Sequence, residues 1–230
     1  MQSAVNKADQ LTQFLESCTN TFDAIFLTET WYRHDNDVLK IPGYDSFDIN
    51  RTSKRGGGVA ILVKTKYSAD VLSNHCFCKD DIEMLTVKMA RQAFSVIYRP
   101  PHGNLASFFG TFERELFFFT SEKVSSFIVG DFNIDMSATC SAQQQLSLLL
   151  QSTGFQNVID SPTRITPTCS SVLDLIVTNR EYSFCSGRIA VDISDHLPVF
   201  FFFCVCVSRK SNSFENKNQG STAINFSRSA

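Results

Sequence analysis

The sequence predicts an α+β fold in which two mixed β-sheets pack face to face with helices outside. Three observations predict it: short apolar runs bounded by turn residues recur along the chain, helical stripes interrupt them at irregular intervals, and the regular strand–helix alternation of an all-parallel sheet is missing. The chain has 230 residues, enough for one substantial core. Its 43% hydrophobic and 19% charged residues favour a folded domain over a disordered one.

Leu11, Phe14, Leu15 and Cys18 fall at i, i+3, i+4 and i+7, so residues 4–18 read as an amphipathic helix. Residues 23–28 are a short apolar run ending at Glu29, a buried strand that delivers a polar side chain to a sheet edge. Gly56, Gly57 and Gly58 close the polar stretch 50–55 and lead into Val-Ala-Ile-Leu-Val, a turn feeding another buried strand. Strands follow at 82–89 and 93–98, stopped by Pro100 and Pro101, which cannot continue a ladder. Leu105, Phe108, Phe109, Phe112, Leu116 and Phe119 keep helical spacing, and this aromatic stripe reads as a helix face packed on a sheet. Then come a strand at 126–129, a helix at 142–152 and strands at 173–178, 188–193 and 197–207. Residues 1–207 thus form the domain. From 208 to 230 the chain is rich in Ser, Asn and Lys, which predicts a disordered tail.

Several function classes drop out. The longest apolar run, 197–207, contains Pro198 and falls short of the ~20 residues a membrane-spanning helix needs, so no membrane role is expected. Eight cysteines without a CxxC pair argue against zinc, and the lack of a secretory signal favours free thiols in a reduced intracellular compartment. Neither a GxxxxGK[ST] loop nor a GxGxxG fingerprint is present, so nucleoside triphosphate chemistry has no support. A net charge of −2 neither suggests nor excludes a nucleic-acid partner.

Polar residues stand repeatedly at the ends of apolar strands: Glu29, then Asp131 and Asn133, then Asp195 and His196. Each alone is an ordinary turn residue or cap. Carboxylates gathered at one rim, however, repel one another unless a cation neutralises them, and hard oxygen ligands suit Mg²⁺ or Mn²⁺.

The motifs Leu-Thr-Glu29-Thr-Trp, Arg55-Gly-Gly-Gly-Val-Ala-Ile, Tyr98-Arg-Pro-Pro, Gly130-Asp131-Phe-Asn133, Leu173-Asp174-Leu and Ser194-Asp195-His196 occur in this order across residues 27–200. The set resembles the endonuclease domain of LINE-type (non-LTR) retrotransposons, in the endonuclease/exonuclease/phosphatase (DNase I-like) superfamily. The resemblance implies a four-layer α/β sandwich and a Mg²⁺ (or Mn²⁺) dependent phosphodiesterase that nicks DNA. The nick leaves a 3′-hydroxyl primer for reverse transcription, which implies action in the nucleus. It implies metal contacts at Glu29 and Asp195, contacts to the attacking water and phosphate from Asp131 and Asn133, and His196 beside the scissile phosphate, hydrogen-bonded to Asp174. Tyr98 and Thr163 match phosphate-contacting positions, and Arg51, Lys54, Arg55, Arg99 and Arg164 lie in loops near these motifs, as candidates to meet backbone phosphates. Either Asp131 or the Asp174–His196 pair is the general base.

Two departures from that pattern matter. Domains of this kind begin with a strand whose asparagine touches the metal site, whereas this chain opens at the helix, so the N-terminal strand is expected to be missing and its neighbours' ladders unpaired. A reverse transcriptase domain, as a parent element would carry, is not expected in the polar residues 208–230. The competing readings are therefore a catalytically inactive fragment that only binds nucleic acid, and a phosphatase of lipid or other small phosphoesters.

Overall fold

A computed structural model describes residues 7–18, 21–51, 56–89, 91–180, 184–191, 194–204 and 220–226. The chain begins with α1 (Ala8–Ser17), β1 (Ala24–Thr28), β2 (Tyr44–Ile49), β3 (Val59–Lys64), β4 (Asp70–Val71), β5 (Phe77–Lys79), β6 (Ile82–Met89) and β7 (Gln92–Tyr98). It continues through α2 (Leu105–Ser121), β8 (Ser126–Asp131), α3 (Ser141–Thr153), β9 (Gln156–Asn157), β10 (Arg164–Ile165), β11 (Ser170–Ser171) and β12 (Asp174–Thr178). The last described strands are β13 (Phe184–Arg188), β14 (Val199–Cys204) and β15 (Gly220–Phe226).

One sheet has the order β13-β14-β15-β1-β3-β2, the other β4-β6-β7-β8-β12-β9 with β5 paired to β6, and β10 and β11 form a separate ribbon. Alternation along β1 explains the layering. Ala24 and Phe26 join the core between the sheets, while Ile25 and Leu27 turn to the opposite face and pack with Leu11 of α1. On the second sheet, Phe108, Phe112 and Phe119 of α2 and Leu146 of α3 are fully buried in the same core as Ile128 and Ile176. The aromatic stripe is therefore a packing seam, with no face left for stacking nucleobases. The result is the four-layer arrangement of helix, sheet, sheet and helix pair.

Helix ends follow their sequences. Asn104 caps α2, its side chain accepting from the Ser107 N–H at 3.0 Å, just after the two prolines. Gly154 ends α3 in the left-handed conformation at φ +74.

Several expected elements require correction. The strand expected at 188–193 is instead β13, ending at Arg188, and the one at 197–207 is described only as Val199–Cys204. β2 was not expected, because Asp45, Ser46 and Asp48 make an edge strand look like a loop. The tail expected to be disordered over 208–230 contains β15, and residues 205–219 and 227–230 lie outside the described residues. β15 pairs parallel with β1 and antiparallel with β14. The ladder of β1 that was expected to lie open is thus filled.

Candidate active site

Sheet register builds the site. Glu83 on β6 is the ladder partner of Tyr98 on β7, Tyr98 is the partner of Asp131 on β8, and Asp131 is the partner of Asp174 on β12. Ladder partners project to one face of a sheet, with neighbouring strands roughly 4.8 Å apart. Four ionisable side chains therefore stand in one row across four strands. Glu29 follows the end of β1, and His196 precedes β14 in the opposing sheet. Glu29, Tyr98, Asp131, Asp174 and His196 are all at most 6% exposed.

Gly130 permits the row. A Cβ there would lie 1.8 Å from the Ile97 carbonyl oxygen, so the close approach of β7 and β8 requires glycine. After Asp131 the chain turns sharply, with Asn133 at φ +46, a conformation asparagine tolerates better than most residues. Its backbone N–H donates to Asp131 Oδ1 at 2.9 Å, and its side-chain amide donates to Asp131 Oδ2 at 3.1 Å and to the Arg99 carbonyl at 2.8 Å.

His196 Nδ1 lies 2.7 Å from Asp174 Oδ2. Burial works against a charged imidazole, but the adjacent Asp174 carboxylate, its hydrogen bond and Asp131 overcome this and raise the His196 pKa to about 9. Asp131 is pushed well above the carboxylate range by burial first, then by Asp174, with His196 and the Asn133 N–H opposing. Burial, then Glu29, likewise raises the Tyr98 hydroxyl.

Glu29 is held by an unusual backbone. Glu29 and Trp31 both have positive φ, +57 and +59, at a cost of roughly 1–2 kcal/mol per residue for a side chain other than glycine. The glycine turn offsets this: Thr30 N–H donates to the Gly58 carbonyl at 3.1 Å, and Trp31 N–H to the Gly57 carbonyl at 2.9 Å. The Gly57 N–H and the Trp31 indole both donate to Glu29 Oε2.

The donor set fits a divalent cation. Oδ1 of Asp174 is buried with no hydrogen-bond partner, an acceptor left for a cation or its water. Ligand atoms of Asp131, Asp174 and His196 lie within 4.8 Å of one another. A histidine held protonated has no lone pair to offer, so the carboxylates rather than His196 are the natural ligands, and oxygen donors suit Mg²⁺ or Mn²⁺.

Other expected residues are placed differently. Asp195 is exposed and pairs with Arg164, Nε to Oδ2 3.2 Å, while its charge still acts on the adjacent His196. Arg99 was expected at a phosphate, but it is buried with Nη1 on the Asn133 carbonyl and Nη2 on the Gly103 carbonyl, which makes it a brace for the turn after Asp131. Thr163 is also fully buried; its hydroxyl accepts from the backbone N–H groups of Leu173 and Asp174, each at 3.0 Å, and so braces the start of the strand that carries Asp174. Arg55 and Lys54 lie outside the described residues. Glu83 was missed. An acid inside the apolar run Ile82-Glu-Met-Leu-Thr-Val was the available signal, because a charge on a buried strand needs a partner. Burial lifts its pKa to about 7 against the opposing Arg51 guanidinium and Gly58 N–H.

The pattern of the Endonuclease/Exonuclease/phosphatase family matches residues 2–196. The chain belongs to that family. No curated protein sequence matches it. Solved structures show the same fold. The endonuclease domain of TRAS1, a telomere-specific non-LTR retrotransposon, superposes with TM-score 0.60 at 12% identity, covering 91% of this chain and 95% of that one. The 3′-5′ exonuclease NExo from Neisseria meningitidis gives TM-score 0.64 at 15% identity over 86% and 94%. The Xenopus laevis APE2 catalytic domain gives TM-score 0.61 at 17% identity over 84% and 87%. As an Endonuclease/Exonuclease/phosphatase domain, the chain places its buried acids where two sheets meet. Among the described residues no helix is long and apolar enough to cross a membrane.

Proposed function

We propose that this domain is a divalent-metal-dependent phosphodiesterase that nicks DNA and leaves a 3′-hydroxyl, as the first step of target-primed reverse transcription in the nucleus. The observation that carries the reading is the buried cluster of Asp131, Asp174 and His196, with ligand atoms within 4.8 Å of one another, and the buried Glu29 whose charge bears on Asp131 and Tyr98. The ordered Arg-Gly-Gly-Gly and Tyr-Arg-Pro-Pro motifs and the likeness in fold to a retrotransposon endonuclease favour the nicking role over that of a phosphatase.

Glu29, with Asp131 and Asp174 facing it, would hold Mg²⁺ or Mn²⁺, and Asp195 at the exposed rim is a further contact. A bound cation supplies charge stabilisation at the phosphoryl oxygens. The remaining steps belong to the side chains. His196, protonated at neutral pH, donates a hydrogen bond or proton from Nε2 to a phosphoryl oxygen while Asp174 fixes its ring through Nδ1. Asp131 takes a proton from the attacking water, and Asn133 orients the Asp131 carboxylate through its backbone and side-chain N–H groups. Tyr98, beside Glu29, offers its hydroxyl to the phosphate.

The test is conversion of supercoiled plasmid to open circle in Mg²⁺, Mn²⁺ and EDTA, by the chain and by its Asp131→Ala and His196→Ala variants. Metal-dependent nicking lost in both variants, with ends that a polymerase extends, is the expected result. Absence of nicking in either metal would leave a nucleic-acid-binding remnant, and faster turnover of a small phosphomonoester than of plasmid would make it a phosphatase.

A further inference from the structure

Glu83 and Arg51 form a buried ion pair through Glu83 Oε1 and Arg51 Nε, beneath the candidate site and outside every step given above. Glu83 is fully buried and stands at one end of the register row of three acids and one hydroxyl. Its other oxygen, Oε2, accepts the Gly58 N–H, while the preceding N–H, that of Gly57, donates to Glu29 at 3.2 Å. Two consecutive peptide N–H groups thus point to two different carboxylates, and the glycine turn is pinned between Glu83 and Glu29.

The fit around this turn leaves no slack. A Cβ on Gly57 would come within 2.4 Å of Glu83 Oε1 and 2.6 Å of Arg51 Nε, and Gly57 and Gly58 both have positive φ, +74 and +87. The Arg51 guanidinium lies over the Tyr98 ring, 5.8 Å from its centroid. The ion pair therefore touches both neighbours of the candidate metal position, the turn that orients Glu29 and the ring of Tyr98. A buried pair gains little net stability over an apolar packing of the same volume, so its retention here asks for another account.

We propose that the Arg51–Glu83 pair is a positioning device that fixes the Gly57–Gly58 turn, and through it sets the Glu29 carboxylate for a divalent cation. The proposal rests on the reading of Glu29 as a metal ligand. Glu83 itself stays on Arg51 and Gly58 and does not touch the cation.

The test measures Mn²⁺ binding to the full chain by calorimetry without DNA, together with the Mg²⁺ dependence of plasmid nicking. The chain is compared with Glu83→Gln, with Arg51→Met/Glu83→Gln and with Glu29→Gln. The double variant removes both buried charges together and so avoids the unpaired charge that could unfold the single variant. Loss of supports of this kind weakens metal binding by about 10- to 100-fold. The expected result is such a loss in folded Glu83→Gln or in the double variant, with the maximal nicking rate largely recovered at saturating Mg²⁺. A folded double variant that binds Mn²⁺ as tightly as the parent chain overturns the proposal, as does a fall in maximal rate with unchanged metal dependence. Mn²⁺ binding unaffected by Glu29→Gln instead overturns the metal reading itself and the proposal with it.

Discussion

Asp174 Oδ2 and His196 Nδ1 lie 2.7 Å apart with both side chains at most 2% exposed, and among the influences that raise the His196 pKa against its burial the Asp174 charge is the largest. Asp174→Asn removes two of the influences that raise the His196 pKa and leaves burial, which lowers it. The imidazole would then be neutral at pH 7 and unable to donate from both nitrogens. Nicking should fall by about 10²- to 10⁴-fold, the usual value of a positioned acid or base. The alkaline limb of its pH profile should move to lower pH, as measured by initial rates between pH 5.5 and 9.5.

Asp131 and His196 carry the same implication for stability. Their pKa values are both raised on folding, so the metal-free folded state binds more protons than the unfolded chain. Stability from His196 is fully present below its unfolded pKa near ~6.5 and is lost as pH rises through about 9; Asp131 acts with the same sign from its lower unfolded value of ~3.9 upward. In EDTA the melting temperature should therefore fall steadily as pH rises from 5 to 9. Asp131→Asn removes a carboxyl whose ionisation burial and Asp174 oppose and should melt higher at pH 7 in EDTA by about 3 °C, the shift that ~1 kcal/mol gives in a chain of this size, while abolishing nicking. Mg²⁺ should reverse the order, since a cation repays the carboxylate that asparagine lacks. Scanning calorimetry of both proteins with and without Mg²⁺ checks the inversion.

Thr163 ties the loop before β10 to the start of β12. Its buried hydroxyl accepts two N–H donors, those of Leu173 and Asp174, and its carbonyl accepts the Leu197 N–H at 2.6 Å beside His196. Thr163→Val keeps the shape and orphans both donors, at ~1–3 kcal/mol each. Urea denaturation should show a loss of about 2–4 kcal/mol for Thr163→Val, most of it restored in Thr163→Ser. A hydroxyl that met phosphate would instead leave stability unchanged and raise KM for DNA.

The legibility of the site in the sequence follows from where each residue stands. Glu29 and Asp131 are legible because each ends an apolar run, where a polar residue breaks the pattern, whereas Tyr98 and Asp174 are legible only through the motifs that carry the family resemblance. Glu83 sits one residue inside such a run, and its partner Arg51 belongs to a distant loop, so only folding brings the two together. The motifs identified Arg99 and Thr163 but gave no direction to their side chains, and direction decides between a phosphate contact and a backbone brace. The sheets were legible wherever a strand is buried on both faces, as β1 and β3 are, and illegible at the polar edge strand β2. β15 escaped because seven residues of mixed character inside a polar tail carry no local signal; their ladders come from β1 and β14.

Among the described residues, that last strand bridges the two halves of the site that lie in one sheet. β1, which leads to Glu29, and β14, which follows His196, do not pair with each other; each pairs with β15, whose Ala223 is the ladder partner of Ala24 on one side and of Phe201 on the other. In a strand paired on both sides, proline removes a ladder hydrogen bond and its ring crowds the neighbouring strand, a change of ~3 kcal/mol or more. Ala223→Pro should therefore lower the melting temperature by roughly 6–12 °C, taking ~2–4 °C per kcal/mol for a chain of this size. It should also expose the β1 amides to hydrogen exchange, while the amides of β6, β7 and β8 in the other sheet keep most of their protection. Unchanged protection at Ile25 and Leu27 in the proline variant would mean that residues 220–226 do not close this sheet in solution.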